Sequence, residues 1–569
     1  MHDLVVRGGA VIDGTGAPRR QADVAIDAGR ITAIGRDLGP ARRTLDAAGM
    51  VVAPGFIDVH THLDVQGFWD TALTPSPLHG VTTVIAGNCG FSVAPLNPAA
   101  AAYLLPMLAR VEGMPAESLE TGVPWDWTTT EEYLDRFDGV LALNSGFMVG
   151  HSAIRRVVMG EAATERAATP DELERMCELL RDGIRAGGLG FSSSWSVVHN
   201  DAGGGPVPSR YAAAEELVAL AAVCGEFPGT SLEFVAGQGP WAEHLQQVMV
   251  DMTVAAKRPL NWNVIAGSAS GLSVVREQLA LSDVARARGG KMVGLVVPYV
   301  SEARLCFRGG FLLDSIPGWG EAMTAPPAEK LALLADPESR ARLGKLAADS
   351  TGRGGLVNWG EKRVLQTFAP ETKQYEGRKI DEIAKTEGKT PFDALIDIVV
   401  ADELRTSFSY GDAQDTRADW EARRELWLDP RTIVGGADTG AHLDMLSTFS
   451  FATDLLSLGV REHNLITTEE AVRLLTSEPA ALYGMVDRGT LREGAAADIV
   501  VFDEATVGHD AVRLKFDLPG GAGRLYSEGV GIAYVLVNGE LIAEHGELTQ
   551  ARSGVVLRAG RDTITPDMR

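Results

Sequence analysis

Between residues 54 and 437, short apolar runs alternate with longer stretches whose apolar residues recur at helical spacing. The apolar runs Phe56–Val59, Val81–Ala86, Val140–Asn144, Leu189–Ser192, Ser231–Val235, Leu260–Val264, Met292–Val297 and Thr432–Ala437 read as strands. Asp171–Ala186, Ala212–Cys224, Trp241–Ala256 and Ser273–Arg288 between them read as helices. Eight strands with helices between them are what an α/β fold of the (β/α)8 TIM-like barrel type requires. An open doubly wound sheet is the poorer match, because no Gly-x-Gly-x-x-Gly turn follows the first strand. The stretch 301–429 is too long for one connection and predicts an inserted helical segment. Both chain ends have a different texture. LVVRGGAVI, DVAID and RITAIG near the start alternate apolar and polar residues, as do Ala497–Phe502, Ile532–Gly539 and Ser553–Leu557 near the end. Matched β-rich ends predict one small β domain, residues 1–53 plus 488–569, beside a barrel over 54–487.

With 52 Lys and Arg against 76 Asp and Glu, the chain carries a net charge of −24. Nucleic acids and acidic membrane surfaces need basic patches, so neither is an expected partner. Four scattered cysteines, Cys89, Cys177, Cys224 and Cys306, do not make a disulfide framework and predict a reducing, cytoplasmic setting. The first residues lack the basic-then-apolar pattern of a signal peptide, and no apolar run reaches the roughly 18 residues of a membrane span. Oligomeric state stays open, a homo-oligomer included.

In a barrel of this type the chemistry sits at the C-terminal strand ends. The first strand ends in Asp58-Val59-His60-Thr61-His62. Alternate strand residues face the same way, so His60 and His62 form a ready metal pair. The second strand ends at Gly87-Asn88-Cys89-Gly90, where Cys89 is either a thiolate ligand or a buried apolar thiol. The eighth ends in Gly435-Gly436-Ala437-Asp438-Thr439-Gly440-Ala441-His442. There Asp438 is a candidate ligand and proton acceptor for a metal-activated water, or a turn residue. His442 is a candidate ligand or transition-state hydrogen-bond donor.

These stretches resemble the amidohydrolase superfamily, in its N-acyl-D-amino-acid deacylase (D-aminoacylase) branch. The resemblance rests on Pro54–His62, His79–Pro95, Gly435–His442, Thr476–Ala480, Asp487–Asp503 and Val537–Gly539, with weaker matches at Gly188–Ser194 and Val197–Pro208. It implies a (β/α)8 barrel with a small β-sandwich formed by both chain ends. It also implies hydrolysis of a small-molecule amide by metal-activated water, with one or two zinc ions. His60 and His62 would match the first-strand ligands, Cys89 the cysteine ligand and Asp438 the catalytic aspartate.

One departure stands out. The branch typically places histidines at the ends of strands five and six, but here those strands read Ser231-Leu232-Glu233-Phe234-Val235 and Asn261-Trp262-Asn263-Val264. Glu233 is a candidate oxygen ligand, or a satisfied buried carboxylate. Asn263 is a poorer donor and is assigned with His151 and His199 to lining the substrate. A substrate carboxylate calls for an arginine, and Arg155, Arg210 and Arg353 are the candidates. Trp195 and Trp262 are either acyl-pocket walls or core. The fourth strand carries no lysine, against the carbamylated-lysine pattern of dihydropyrimidinase-like enzymes, and Ser192–Ser194 lie in no Gly-x-Ser-x-Gly elbow. Deacylation of an N-acyl (D-)amino acid is therefore the expected activity. A cyclic or natural-product amidase and a metal-depleted, ligand-binding barrel are the alternatives.

Overall fold

The computed structural model describes residues 1–568 except 238, 300–302, 351–353 and 411–414, so Arg353 lies outside the described residues. Its centre is a run of parallel strands: β1 (Phe56–Asp58), β2 (Val81–Ala86), β3 (Asn144–Phe147, continued by Val149–Gly150), β4 (Gly190–Ser194), β5 (Ser231–Val235), β6 (Pro259–Ala266), β7 (Lys291–Val297) and β8 (Thr432–Val434). Each pairs in parallel with the next, from β1 through to β8. β1, β2, β4 and β5 are buried along their whole length, as expected of parallel strands covered on both faces. Beyond the strand ends the first and last segments also meet. Asp438 N donates to His60 O (3.0 Å) and His62 N donates to Thr439 O (2.7 Å).

Helices connect the strands. They include α1 (Pro98–Val111), α2 (His151–Met159), α3 (Pro170–Arg185), α4 (Ala214–Cys224), α5 (Glu243–Ala256) and α6 (Leu272–Ala287). α3 shows why these segments are helical. Thr169 and Glu172 form a reciprocal cap at its start, and Met176, Cys177, Leu180, Gly183 and Ile184 bury one face.

The third strand differs from its sequence expectation at Val140–Asn144. Val140 is exposed, and the strand starts only at Asn144. Its residues Asn144-Ser145-Gly146-Phe147 are small or polar, so hydropathy hides them. Burial works because Asn144 donates to Thr82 O (3.2 Å) and Asp498 Oδ2 (3.0 Å). Gly146 is required by packing, since a Cβ there would sit 2.3 Å from Leu189.

Strands from both chain ends share one nine-stranded sheet. His2–Val11, Arg20–Asp27, Arg30–Gly35, Ala41–Asp46 and Val51–Pro54 join Ile499–Phe502, Ile532–Val537, Glu540–Glu544 and Glu547–Leu548. Val51–Pro54 pairs antiparallel with Ile499–Phe502 and then leads directly into β1. The last residues leave this sheet, and Val556–Leu557 pairs in parallel with β3. The insertion between β7 and β8 contains helices such as Pro327–Ala335, Pro337–Ala348 and Pro391–Ala401. It also contains a three-stranded antiparallel sheet of Arg304–Cys306, Ser407–Ser409 and Val364–Gln366, which the expectation of a helical segment missed. Trp319, Leu343, Ile383, Leu395 and Phe408 belong to a separate apolar core there. No helix among the described residues is long and apolar enough to cross a membrane.

Candidate metal centre

β1 delivers two imidazoles to one point. His60 and His62 are each 2% exposed, with ring centroids 5.4 Å apart. Cys89, from the turn after β2, puts Sγ 3.4 Å from His60 Nε2 and 3.6 Å from His62 Nε2. Asp438, beyond β8, puts Oδ1 3.0 Å from His62 Nε2 and 3.6 Å from His60 Nε2. Donors held about 2.0–2.3 Å from a tetrahedral zinc ion lie roughly 3.3–3.7 Å from one another. The two nitrogens and the sulfur at these separations fit such an ion, and Asp438 Oδ1 stands against both histidines.

Backbone geometry helps to place these side chains. Cys89 (φ +58°), Asp438 (φ +59°) and His442 (φ +48°) all occupy the left-handed region, which is costly for residues with a Cβ and concentrates at functional sites. Asp58 accepts from Thr439 Oγ1 (2.8 Å) and so links the ends of β1 and β8.

The electrostatics favour a cation. Burial opposes a charge on His62, but Glu112 and Asp438 outweigh it and push the imidazole up to about 10. His60, where burial dominates, is pushed down to about 3. Asp438 is itself held well below the usual carboxylate range, because His62 overcomes the cost of its burial. Burial, reinforced by Glu233 and Glu112, raises the Cys89 thiol well above its ordinary value. A thiol in this field becomes a ligand only when a cation supplies the countercharge.

The residues at the ends of β5 and β6, where the resembled branch has histidines, hold other donors in place. Glu233 Oε2 accepts from Cys89 N (2.8 Å). Asn263 Nδ2 lies 2.9 Å from His60 Nδ1. Glu233 falls outside the metal-capable groupings found among the described residues, which are His60–His62–Cys89 and His62–Glu112–Asp438. Asn263 contacts a histidine of the site, and its Oδ1 is left without a hydrogen-bond partner.

The remaining candidates separate into two sets. His442 Nε2 is 3.7 Å from Asp438 Oδ2, and its ring lies 4.5 Å from that of Phe311. His199 accepts or donates at Ser194 Oγ (2.7 Å) and packs on Phe91, and burial pushes it down to about 3 with Asp438 and His62 in its field. Arg210 donates to His199 O (3.1 Å) and Asn200 Oδ1 (2.8 Å), which ties it to the same loop. By contrast, His151 and Arg155 are spent beneath the site. His151 bridges Ser193 Oγ and Glu216 Oε1, both at 2.8 Å. Arg155, with no exposure, donates to Glu216 Oε2 (2.6 Å) and to Arg166 O (2.9 Å). That engagement leaves its guanidinium no free face for a substrate carboxylate. Arg155→Ala is therefore expected to lower stability by about 3–5 kcal/mol in denaturant titrations, because Glu216 is left buried without its cation. Trp262 is core, packed edge-on against Trp241 at 4.7 Å, while Trp195 donates to Ser209 O (3.1 Å).

Sequence reasoning missed Glu112. It caps the C-terminus of α1, is 3% exposed, and brings Oε2 to 3.5 Å from His62 Nε2. One local signal existed: a carboxylate at a helix C-terminus opposes the helix dipole and needs another reason to be there.

This arrangement of imidazoles, thiol and carboxylates at the ends of parallel strands can bind a metal and activate water, and the chain belongs to the amidohydrolase family, whose profile matches residues 43–543. Membership makes it a hydrolase of carbon–nitrogen bonds. Among its relatives, an N-acyl-D-glutamate deacylase of Alcaligenes xylosoxydans xylosoxydans is 31% identical over 563 residues, covering 94% of this chain and 93% of that protein. A D-aminoacylase of the same organism is 28% identical over 569 residues, covering 98% and 97%. Among solved structures, the N-acyl-D-glutamate deacylase of Bordetella bronchiseptica, complexed with zinc and a phosphonate mimic of the tetrahedral intermediate, matches with TM-score 0.65 and 27% identity, covering 98% of this chain and 100% of that one. A D-aminoacylase described as having a binuclear metal centre matches with TM-score 0.65 and 26% identity over the same shares.

Proposed function

We propose that this amidohydrolase uses zinc to deacylate an N-acyl amino acid, of D configuration. The observation that carries the reading is the convergence on His60 and His62 of Cys89 Sγ, 3.4 and 3.6 Å away, and of Asp438 Oδ1, 3.6 and 3.0 Å away. The relatives that act on N-acyl-D-amino acids along nearly the whole chain support the substrate class. The same donor set counts against a metal-depleted, ligand-binding role.

A bound zinc ion supplies the Lewis acidity that activates water and polarises the amide carbonyl. Asp438 accepts the proton of the attacking water and hands it to the departing nitrogen, so the amide bond breaks as the carboxylate product forms. Its side chain is partly exposed and stands between His62 and His442, so it reaches both the buried donors and the opening. His442 donates to the oxyanion that develops on the carbonyl oxygen. Asn263 and Glu233 orient His60 and the Cys89 turn. His199 and Arg210, on one loop after β4, contribute to the substrate wall.

The proposal extends to the architecture. Hydrogen bonds between the segments after β1 and β8 support a closed (β/α)8 barrel over 54–487. The nine-stranded sheet supports a small β domain over 1–53 plus 488–569, with its last residues returning to the barrel. Four free, buried cysteines support a reducing, cytoplasmic setting. A panel of N-acyl-D-amino acids, their L-enantiomers and cyclic amides tests the substrate reading by initial rates. The expected outcome is a preference of about 100-fold or more in kcat/KM for a D-configured linear substrate. A cyclic amide turned over faster would replace the proposal.

A further inference from the structure

The two metal-capable groupings share one residue, His62, and the second of them unites it with Glu112 and Asp438. Within that set Glu112 stands apart, because it comes from a helix end rather than a strand end. Among the described residues no lysine or arginine pairs with it, and its ion-pair partner is His62 at 3.5 Å. Its placement is firmly built. Glu112 N donates to Leu108 O (3.0 Å), and its own carbonyl accepts from His442 N. The adjoining Gly113 (φ +58°) lets the turn press against His442, where a Cβ would stand 3.2 Å from the backbone. A buried carboxylate at the negative end of a helix is disfavoured unless positive charge lies beside it, which a metal ion held with His62 would supply.

Building on the zinc-dependent reading above, we propose that Glu112 is a carboxylate ligand of an active-site ion that it shares with His62 and Asp438, adding an oxygen donor to a site that lacks histidines at the ends of β5 and β6. Substituting a hard oxygen donor for an imidazole should make the site more tolerant of manganese or cobalt than an all-nitrogen and sulfur site would be.

The test is metal affinity, read without turnover. Wild type and Glu112→Gln are titrated with zinc against a chromophoric chelator, and their cobalt-substituted forms are compared by visible absorption. Wild type is expected to bind one ion per chain. Glu112→Gln is expected to bind on the order of 100-fold more weakly, with altered cobalt bands and an apo melting temperature like that of wild type. Glu112→Asp, which keeps the charge, should recover part of the affinity, and it serves as the reading if the glutamine variant is poorly folded. Unchanged affinity and cobalt spectrum in Glu112→Gln overturn the ligand role while leaving the hydrolase intact. No ion in wild type overturns this inference together with the zinc-dependent reading.

Discussion

Asp438→Asn is expected to lower kcat by about 10³-fold or more, while the protein stays folded. The substitution keeps the size and one oxygen of the side chain but removes its capacity to take a proton. Among the described residues, Asp438 combines contact with His62 and His442 and partial exposure: Oδ1 is 3.0 Å from His62 Nε2 and Oδ2 is 3.7 Å from His442 Nε2. Other carboxylates of the site, Glu112 and Glu233, are enclosed and cannot shuttle a proton to a departing amine. Steady-state kinetics with metal content measured on the same sample separate proton transfer from metal loss. Retention of a tenth or more of wild-type kcat with a full metal complement would remove Asp438 from the proton path.

The paired change His60→Ala/His62→Ala is expected to empty the site. Cys89, Glu112 and Asp438 each stand within 3.6 Å of one of these two imidazoles. Each ligand lost costs at least about 10–100-fold in affinity, so two together take binding beyond retention through purification. Elemental analysis of protein purified without chelator should give about one ion per chain in wild type and none in the variant, with activity lost in parallel. Metal retained by the variant would place the ion elsewhere in the fold and would sink the centre proposed here.

The parts of this site that the sequence made legible lie at the ends of apolar runs. His60, His62, Cys89 and Asp438 each follow a stretch that reads as a buried strand, and strand periodicity alone brings the two histidines to one face. The third strand was illegible because Asn144, Ser145 and Gly146 are buried through hydrogen bonds and close packing, which hydropathy does not record. Glu112 was hidden for a different reason. Ala109-Arg110-Val111-Glu112 looks like an ordinary solvated helix end, and only its contacts with His442 and His62, distant in sequence, place Glu112 at the site. Arg155 shows the opposite error. An arginine near a strand end suggests a substrate anchor, yet Glu216, distant in sequence, had already engaged it.

The nine-stranded sheet has a bearing on how the chain is made. Val51–Pro54 leads into the first histidine-bearing strand, but its neighbour Ile499–Phe502 is synthesised hundreds of residues later. At synthesis rates of roughly 5–20 residues per second, the early strands wait tens of seconds with an open edge. Pairings so far apart in sequence are slow to form and leave the edge free to join the wrong chain meanwhile. Holdase chaperones or slowed growth are therefore expected to raise the soluble yield, and the soluble fraction on expression checks it.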